Sequence, residues 1–486
     1  MTQDSLPFPQ RRSFRVVVRL HAELPTDPYD ELREAAARLG LRELADALTE
    51  LGVPTARLIP RTTIEPATLR ARELEVREEE DRADPEDPAS MEDPNDPELA
   101  VSLTQYWLVD LSGSPEAPTD VAARFEQLPG VELAYPELPV INAGGQDGAA
   151  GPTSGPSHLD RAPIGSNVRF AWEREQYGAE VQVLDVESGW LFDHEALQPL
   201  GVQLLGGVNQ DGVGGFSGGH GTAALGIVAG TFVAPSGVYG IAPRAGVLAA
   251  SPFNGDLPVL PLADVLTQAL LSLRRGDVVL IEVAALEGGT TTKWQRPIER
   301  QVDVRAAIRL LTRSGIVVIE PAGNGDTDLD SLETASGRSP LTPGEPGYVD
   351  SGAVMVGGAF VDPSRPDAPK RWVSGDDPGV GSNFGRRVDC FSWARKVRTS
   401  GCRPWGNCKP PTSAYQSFNG TSSASAIIAG VAVLVQGLHN EAGQPLPSSR
   451  RLRRAFREAG TGTASEADSG IGAMPDLELV AAFLGV

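Results

Sequence analysis

Between about residue 165 and residue 400, short apolar runs alternate with stretches of helical spacing. This rhythm limits the fold more than any other property of the chain. The runs are Ala179–Asp185, Val247–Ala250, Val278–Val283, Ile316–Ile319 and Ala353–Val356, with Leu262–Leu273 and Val302–Thr312 among the helical stretches between them. Apolar strands that do not alternate with polar residues are buried on both faces, as in a parallel sheet covered by crossover helices. Residues 165–486 are therefore predicted to form an α/β domain, a doubly wound, mainly parallel sheet flanked by helices. Functional groups in such sheets collect at the C-terminal ends of the strands.

Residues 1–141 follow another grammar. Ser13–Leu20 reads as a strand, Tyr29–Leu51 as one helix broken near Gly40 or as two, and 54–60 as a short extended piece. Val101–Leu111 is again strand-like, Thr119–Leu128 helical with Thr119 as its cap, and Val131–Tyr135 a strand. Two β-α-β units in series predict a small α+β domain of the split, ferredoxin-like kind. An acidic insertion at 73–98 divides them, with 13 acidic residues against Arg77 and Arg82. It reads as a solvated loop, because so little of it is apolar that burial cannot offset the entropy of ordering it. Residues 142–164 open on a run of Gly, Ala, Ser and Pro and read as a linker.

Charge and composition exclude several functions. Lys+Arg 42 against Asp+Glu 64 gives a net charge of −22, which argues against nucleic acid or an anionic membrane surface as a partner. No 18-residue apolar span and no apolar leader core stand out, so a cytoplasmic location is expected, with secretion as the alternative. Three cysteines, Cys390, Cys402 and Cys408, exclude a small disulfide scaffold.

Four segments carry residue types that do chemistry. Val-Gln-Val-Leu-Asp185 puts a carboxylate where an apolar run ends, suited to holding a histidine ring in one tautomer. Gly-Gly-His220-Gly-Thr, followed by small residues, sets an imidazole at a helix start. Phe-Asn-Gly-Thr-Ser422 places a hydroxyl at the start of a helix, where the dipole favours developing negative charge and the serine N–H can donate to an oxyanion. Pro-Ala-Gly-Asn324-Gly ends a buried strand and can aim a side-chain amide at the same oxyanion.

The chain order Asp185, His220, Asn324, Ser422, each in its small-residue frame, resembles the subtilisin-like serine proteases, or subtilases. The motifs are VLDVESGW, GHGTAALGIVAG, PAGNG and NGTSSASAIIAG, with weaker matches in GIAPRAGVLAA and GSNFG. The sequence departs from that pattern in Ala426-Ile427, in Val-Glu-Ser-Gly after Asp185, and in Glu282-Val-Ala-Ala-Leu286 at the substrate-binding edge. The resemblance implies a serine endopeptidase: Ser422 as nucleophile, His220 as base, Asp185 orienting His220 and Asn324 in the oxyanion hole. Ala284, Ala285, Leu286 and Gly323 would line the substrate.

The same resemblance implies that residues 1–141 are a propeptide, an intramolecular inhibitor removed by processing between about 137 and 160. A permanent accessory domain, an inert peptide-binding relative, and a protease held off until triggered are the alternatives. No cofactor is required for this chemistry. Structural calcium is common in the family, but no compact run of oxygen ligands stands out, and Asp193, Asp211 and Asp326 are only candidates. Glu287 and Glu320 flank the specificity pocket in the resemblance, which predicts a taste for a basic residue before the scissile bond.

Overall fold

The computed structural model describes residues 14–26, 28–80, 101–142, 158–210, 217–232, 238–253, 260–288, 292–362, 365–375, 379–401, 415–463 and 470–486. The amino-terminal region contains β1 (Arg15–Leu20), α1 (Leu32–Arg38), α2 (Arg42–Leu51), β2 (Thr55–Arg57), α3 (Pro66–Glu80), β3 (Tyr106–Asp110), α4 (Pro118–Phe125) and β4 (Val131–Pro136). Its sheet has the order β2-β3-β1-β4, every neighbouring pair antiparallel. A third element thus slips between two strands joined by helices, the split β-α-β arrangement expected from the sequence.

Gly40 sits at φ +77, a conformation that costs a residue without a side chain little, and there the long helical stretch divides into two. α4 begins a residue before the expected cap, with Pro118 in its first turn where the missing N–H costs nothing. The acidic run is not all loop. Its first part, 73–80, continues α3, with Glu73 and Val76 buried, and Glu73 accepts from the Leu103 N–H at 2.9 Å. The rest of that run lies outside the described residues, as do most of the 142–164 linker and both Cys402 and Cys408. Cys390 is buried and unpaired.

The larger region begins with β5 (Val140–Asn142) and α5 (Arg169–Trp172). Then come β6 (Gln182–Val186), β7 (Gln203–Gly206), α6 (Ser217–Val228), β8 (Gly246–Ala250), α7 (Leu262–Ser272), β9 (Val278–Ile281), β10 (Val283–Leu286) and β11 (Gln295–Arg296). They are followed by α8 (Val302–Arg313), β12 (Val317–Pro321), β13 (Val354–Asp362), β14 (Arg365–Arg371), β15 (Cys390–Trp393), β16 (Val397–Ser400), β17 (Tyr415–Phe418) and α9 (Thr421–Ala442). The main sheet runs β14-β13-β12-β9-β6-β8-β7, with β15 also on β13. All its pairs are parallel except β13–β14. The predicted doubly wound sheet is therefore present. Its central strands β9, β6, β8 and β12 are largely apolar because α6 and α9 cover one face and α7 and α8 the other.

α9 is long and apolar enough to cross a membrane, with a mean hydropathy of 1.6 over its best window, but that window is wholly buried inside the protein. Small side chains all round let it sit as the central helix of the layer rather than at the surface.

Candidate active site

The C-terminal ends of β6 and β9 lie side by side, since these strands pair in parallel with Val186 opposite Ile281. One step further on stand Glu187 and Glu282, both completely buried. Side chains alternate faces along a strand, so Asp185 and Glu187 point the same way, with Glu187 nearer the open edge. α6 and α9 bring His220 and Ser422 to this edge.

His220 is 4% exposed and its Nδ1 is hydrogen-bonded to Oε2 of Glu187. The other oxygen of Glu187 accepts from the Ser188 N–H at 2.6 Å and from the Ser188 hydroxyl at 3.0 Å. The ring of His220 stands edge-on to Phe418, centroids 4.8 Å apart. A glycine follows His220 because α6 is pressed onto the 187–190 turn: a Cβ at Gly221 would lie 2.6 Å from Glu187 Cγ and from the Gly189 carbonyl.

Asp185 does not hold the histidine. Its Oδ2 accepts from the Trp190 indole N–H at 2.7 Å, and its Oδ1 is buried without a hydrogen bond. The sequence expectation that Asp185 orients His220 is therefore corrected: two more residues along the chain carry the carboxyl group far enough to reach the ring. Burial drives the Asp185 carboxyl well above the usual range, the negative charge of Glu187 drives it further, and only the Trp190 N–H pulls against them.

Ser422 is the second residue of α9, after Gly420 (φ +92) and Thr421. Its Oγ and the His220 Nε2 are both buried with no hydrogen bond. Asn324 is fixed beside it. Its Oδ1 accepts from the backbone N–H and from the hydroxyl of Thr421, each at 2.9 Å, and its own N–H donates to Gln295 Oε1 at 3.1 Å. The Thr421 N–H can only donate, so the oxygen of the amide must face it and the NH₂ must face away. Asn324 and the Ser422 turn are thereby locked together.

Glu282 was not anticipated as a site residue. One of its carboxylate oxygens accepts from the Ser425 hydroxyl at 2.9 Å, and the other makes no hydrogen bond. Burial pushes this carboxyl well above the ordinary range. Asp185 and Glu187 push it further, and the hydroxyls of Ser425 and Ser422 pull it back. Candidate ligand atoms of Glu187, His220 and Glu282 all fall within 4.8 Å of one another. Reaching Ser425 of α9 and lying close to His220 of α6, Glu282 marks the point where β9, α6 and α9 converge. The sequence did hold a signal for both glutamates: each directly follows an apolar strand of the parallel sheet.

The predicted substrate edge is β10. Ala284 and Ala285 are completely buried and Leu286 nearly so. One side of β10 pairs with β11, and the other is taken by β5, with Asn142 opposite Val283, Ile141 opposite Ala284 and Val140 opposite Ala285. The Leu286 N–H also donates to the Pro139 carbonyl. An extended piece of the chain thus lies on that edge. Gly323 (φ +90) packs against Asn383, to whose N–H it offers its carbonyl.

Both glutamates of the expected acidic pocket already have an arginine beside them. Arg300 clasps Glu287 with two hydrogen bonds, at 2.8 and 3.2 Å. Glu320 is completely buried 3.7 Å from Arg387. Of the calcium candidates, Asp326 pairs with Arg371 at 2.5 Å, which places a cation there already, Asp193 is exposed, and Asp211 lies outside the described residues.

A buried serine at a helix start, a histidine and its carboxyl partner thus lie at the carboxyl edge of a parallel sheet. The Subtilase family profile matches residues 208–469, more than half of the chain, and the protein belongs to that family of serine peptidases. Among solved structures, fervidolysin from Fervidobacterium pennivorans, a keratinolytic enzyme related to subtilisin, is similar in fold. It shares 14% sequence identity at a TM-score of 0.53, over 78% of this chain and 56% of that one. The PatG macrocyclase in complex with peptide (14% identity, TM-score 0.48, 69% of this chain and all of that one) and the prenylagaramide maturation protease PagA (18%, 0.45, 65% and 98%) also match. No curated protein matches the chain.

Proposed function

We propose that the protein is a serine endopeptidase made as a zymogen. Ser422 attacks the peptide carbonyl while His220 Nε2 takes its proton, then returns it to the leaving amine. A carboxylate from the end of β6 steadies the ring. The Asn324 amide and the Ser422 N–H receive the oxyanion, and water then releases the acyl group from Ser422. The observation that carries this reading is the lock between Asn324 and Thr421, which holds an amide next to a serine at a helix N-terminus.

The amino-terminal domain supplies the inhibition. β5, which leads from this domain into the larger region, lies on β10 as a substrate strand would, in the manner of strand addition to a sheet edge. The domain grips the larger region through several contacts. The Tyr135 hydroxyl donates to Asp303 at 2.7 Å, Leu138 N–H to Gln301, and Arg338 to the Pro136 carbonyl at 2.9 Å. A cut shortly after Asn142 would free the edge.

A fluorophosphonate probe tests both parts. The full chain, incubated and then treated, is expected to carry the label on Ser422, and amino-terminal sequencing to give a new start between 143 and 160. Ser422→Ala should abolish labelling and lower turnover by about 10⁶-fold. Labelling that persists in Ser422→Ala, or its absence from wild type after the amino-terminal domain has been removed, rejects the reading.

A further inference from the structure

The end of β6 offers two carboxyls to a single imidazole. We propose that Glu187 is the positioning residue that fixes the tautomer of His220 and balances its charge, with Asp185 one strand step behind, holding Trp190. This rests on the peptidase reading and assigns its third member.

The geometry is direct. Glu187 Oε2 meets His220 Nδ1, while Asp185 spends Oδ2 on the Trp190 indole. The two Ser188 bonds fix the remaining oxygen of Glu187, so both its lone-pair directions are set before substrate arrives. Three carboxyls face this space: Asp185 and Glu187 from β6 and Glu282 after β9. From α9 come only the hydroxyls of Ser422 and Ser425, and from the 188–190 turn a hydroxyl and an indole N–H. Among the described residues, no arginine or lysine pairs with any of the three. One imidazolium balances one carboxylate. His220 is in hydrogen-bond contact with Glu187 alone among the three, while burial and the charge of their neighbours raise the carboxyls of Asp185 and Glu282.

In the reaction the proton passes from Ser422 Oγ to His220 Nε2 as the oxygen–carbon bond forms. The Nδ1–H stays donated to Glu187 throughout. Glutamate does here what aspartate does in other serine proteases because it starts two residues further along the strand and meets a helix pressed close by Gly221.

The experiment uses the full chain and three variants, Glu187→Gln, Glu187→Asp and Asp185→Asn, with two readouts. The first is kcat on a peptide after self-processing, with its pH profile. Glu187→Gln is expected to lower kcat by about 10⁴-fold with little change in KM, as when an amide replaces the orienting carboxylate and imposes the wrong tautomer. Asp185→Asn should cost at least tenfold less, and Glu187→Asp should recover part of the loss.

The second readout is the far-downfield proton resonance of the His220 Nδ1–H, recorded at acidic pH in a Ser422→Ala background, where no turnover is needed. It is expected in the parent and in Asp185→Asn and absent in Glu187→Gln, with unchanged thermal unfolding excluding a collapsed site. If Asp185→Asn removes the resonance and is the more damaging variant, the assignment is overturned. If the resonance follows Glu187 but wild type is inert to substrate and probe, the pairing stands and the peptidase reading falls instead.

Discussion

Two clusters of buried charge lie under the same sheet, and they are built on opposite plans. At the carboxyl edge of β6 and β9, three carboxyls share one imidazole. Beneath α8 and β13, four carboxyls share a set of arginines. Arg387 binds Glu299 twice, at 2.6 and 2.9 Å, and Asp389 at 2.7 Å, while Arg453 binds Asp350 through both terminal nitrogens at 2.6 Å. The acids answer accordingly. Burial pushes the Asp350 carboxyl up, but Arg453 and its neighbours outweigh it and hold it well below the usual range. Glu299 is likewise buried yet kept low by Arg387. Glu320 is the exception, raised by burial and by Glu299 beside it.

The difference separates stability from chemistry. Asp350 is ionised more readily folded than unfolded. It therefore contributes stability above its unfolded value that is lost as pH falls. Asp185 and Glu282 hold protons that the unfolded chain would release, so they cost stability as pH rises. Groups that weaken the fold persist where function needs them, and strongly shifted carboxyls gathered in one place point to such a site.

The largest effect expected from breaking the comparison lies in the braced cluster. Arg387→Met removes the shared cation and leaves Glu299 buried without its arginine, while Asp389 keeps Arg457. Urea unfolding should show a loss of about 3–5 kcal/mol at neutral pH. A loss below about 1 kcal/mol would mean that the cluster is not held by that guanidinium and that the contrast between the two sites is not one of cation supply.

Asp303 is an intermediate case, a raised carboxyl outside the catalytic edge. Burial lifts it from 3.8 to about 6, although the Tyr135 hydroxyl donates to it. Between pH 4 and pH 6 the folded chain keeps a proton that the unfolded chain has given up. Stability therefore falls across that window, by up to about 3 kcal/mol for a shift of roughly two units. Asp303→Asn still accepts from Tyr135 and should flatten this part of the pH–stability curve. If the variant keeps the wild-type slope between pH 4 and 6, Asp303 is not the titrating group.

How much of this was legible in the sequence follows from the range of the interactions involved. The parallel sheet was readable because buried strands advertise themselves locally, as uninterrupted apolar runs. His220, Asn324 and Ser422 stood out as candidates because each sits in a frame of small residues. The carboxyl partner of His220 did not. Asp185 and Glu187 lie on the same strand face, and which one reaches the ring depends on how closely α6 approaches, a tertiary quantity that Gly221 only hints at. The arginines beside Glu287 and Glu320 are Arg300 and Arg387, 13 and 67 positions away, and nothing near either glutamate announces them. The acidic run misled at its start because a charged helix can still bury one face, as Glu73 and Val76 do.

The smallest effect is also the most discriminating about the catalytic edge. The Ser425 hydroxyl donates to Glu282 at 2.9 Å, and its removal in Ser425→Ala leaves that oxygen without this donor. A hydrogen bond to a neutral acid contributes about 1 kcal/mol, and one to an ionised carboxylate about 1.5–3 kcal/mol. If Glu282 stays protonated, Ser425→Ala should cost about 1 kcal/mol in urea unfolding at both pH 5 and pH 7. A cost that doubles or more between those values would show Glu282 ionising in the folded chain. The contrast of this edge with the arginine-braced cluster would then be smaller than the raised carboxyls imply.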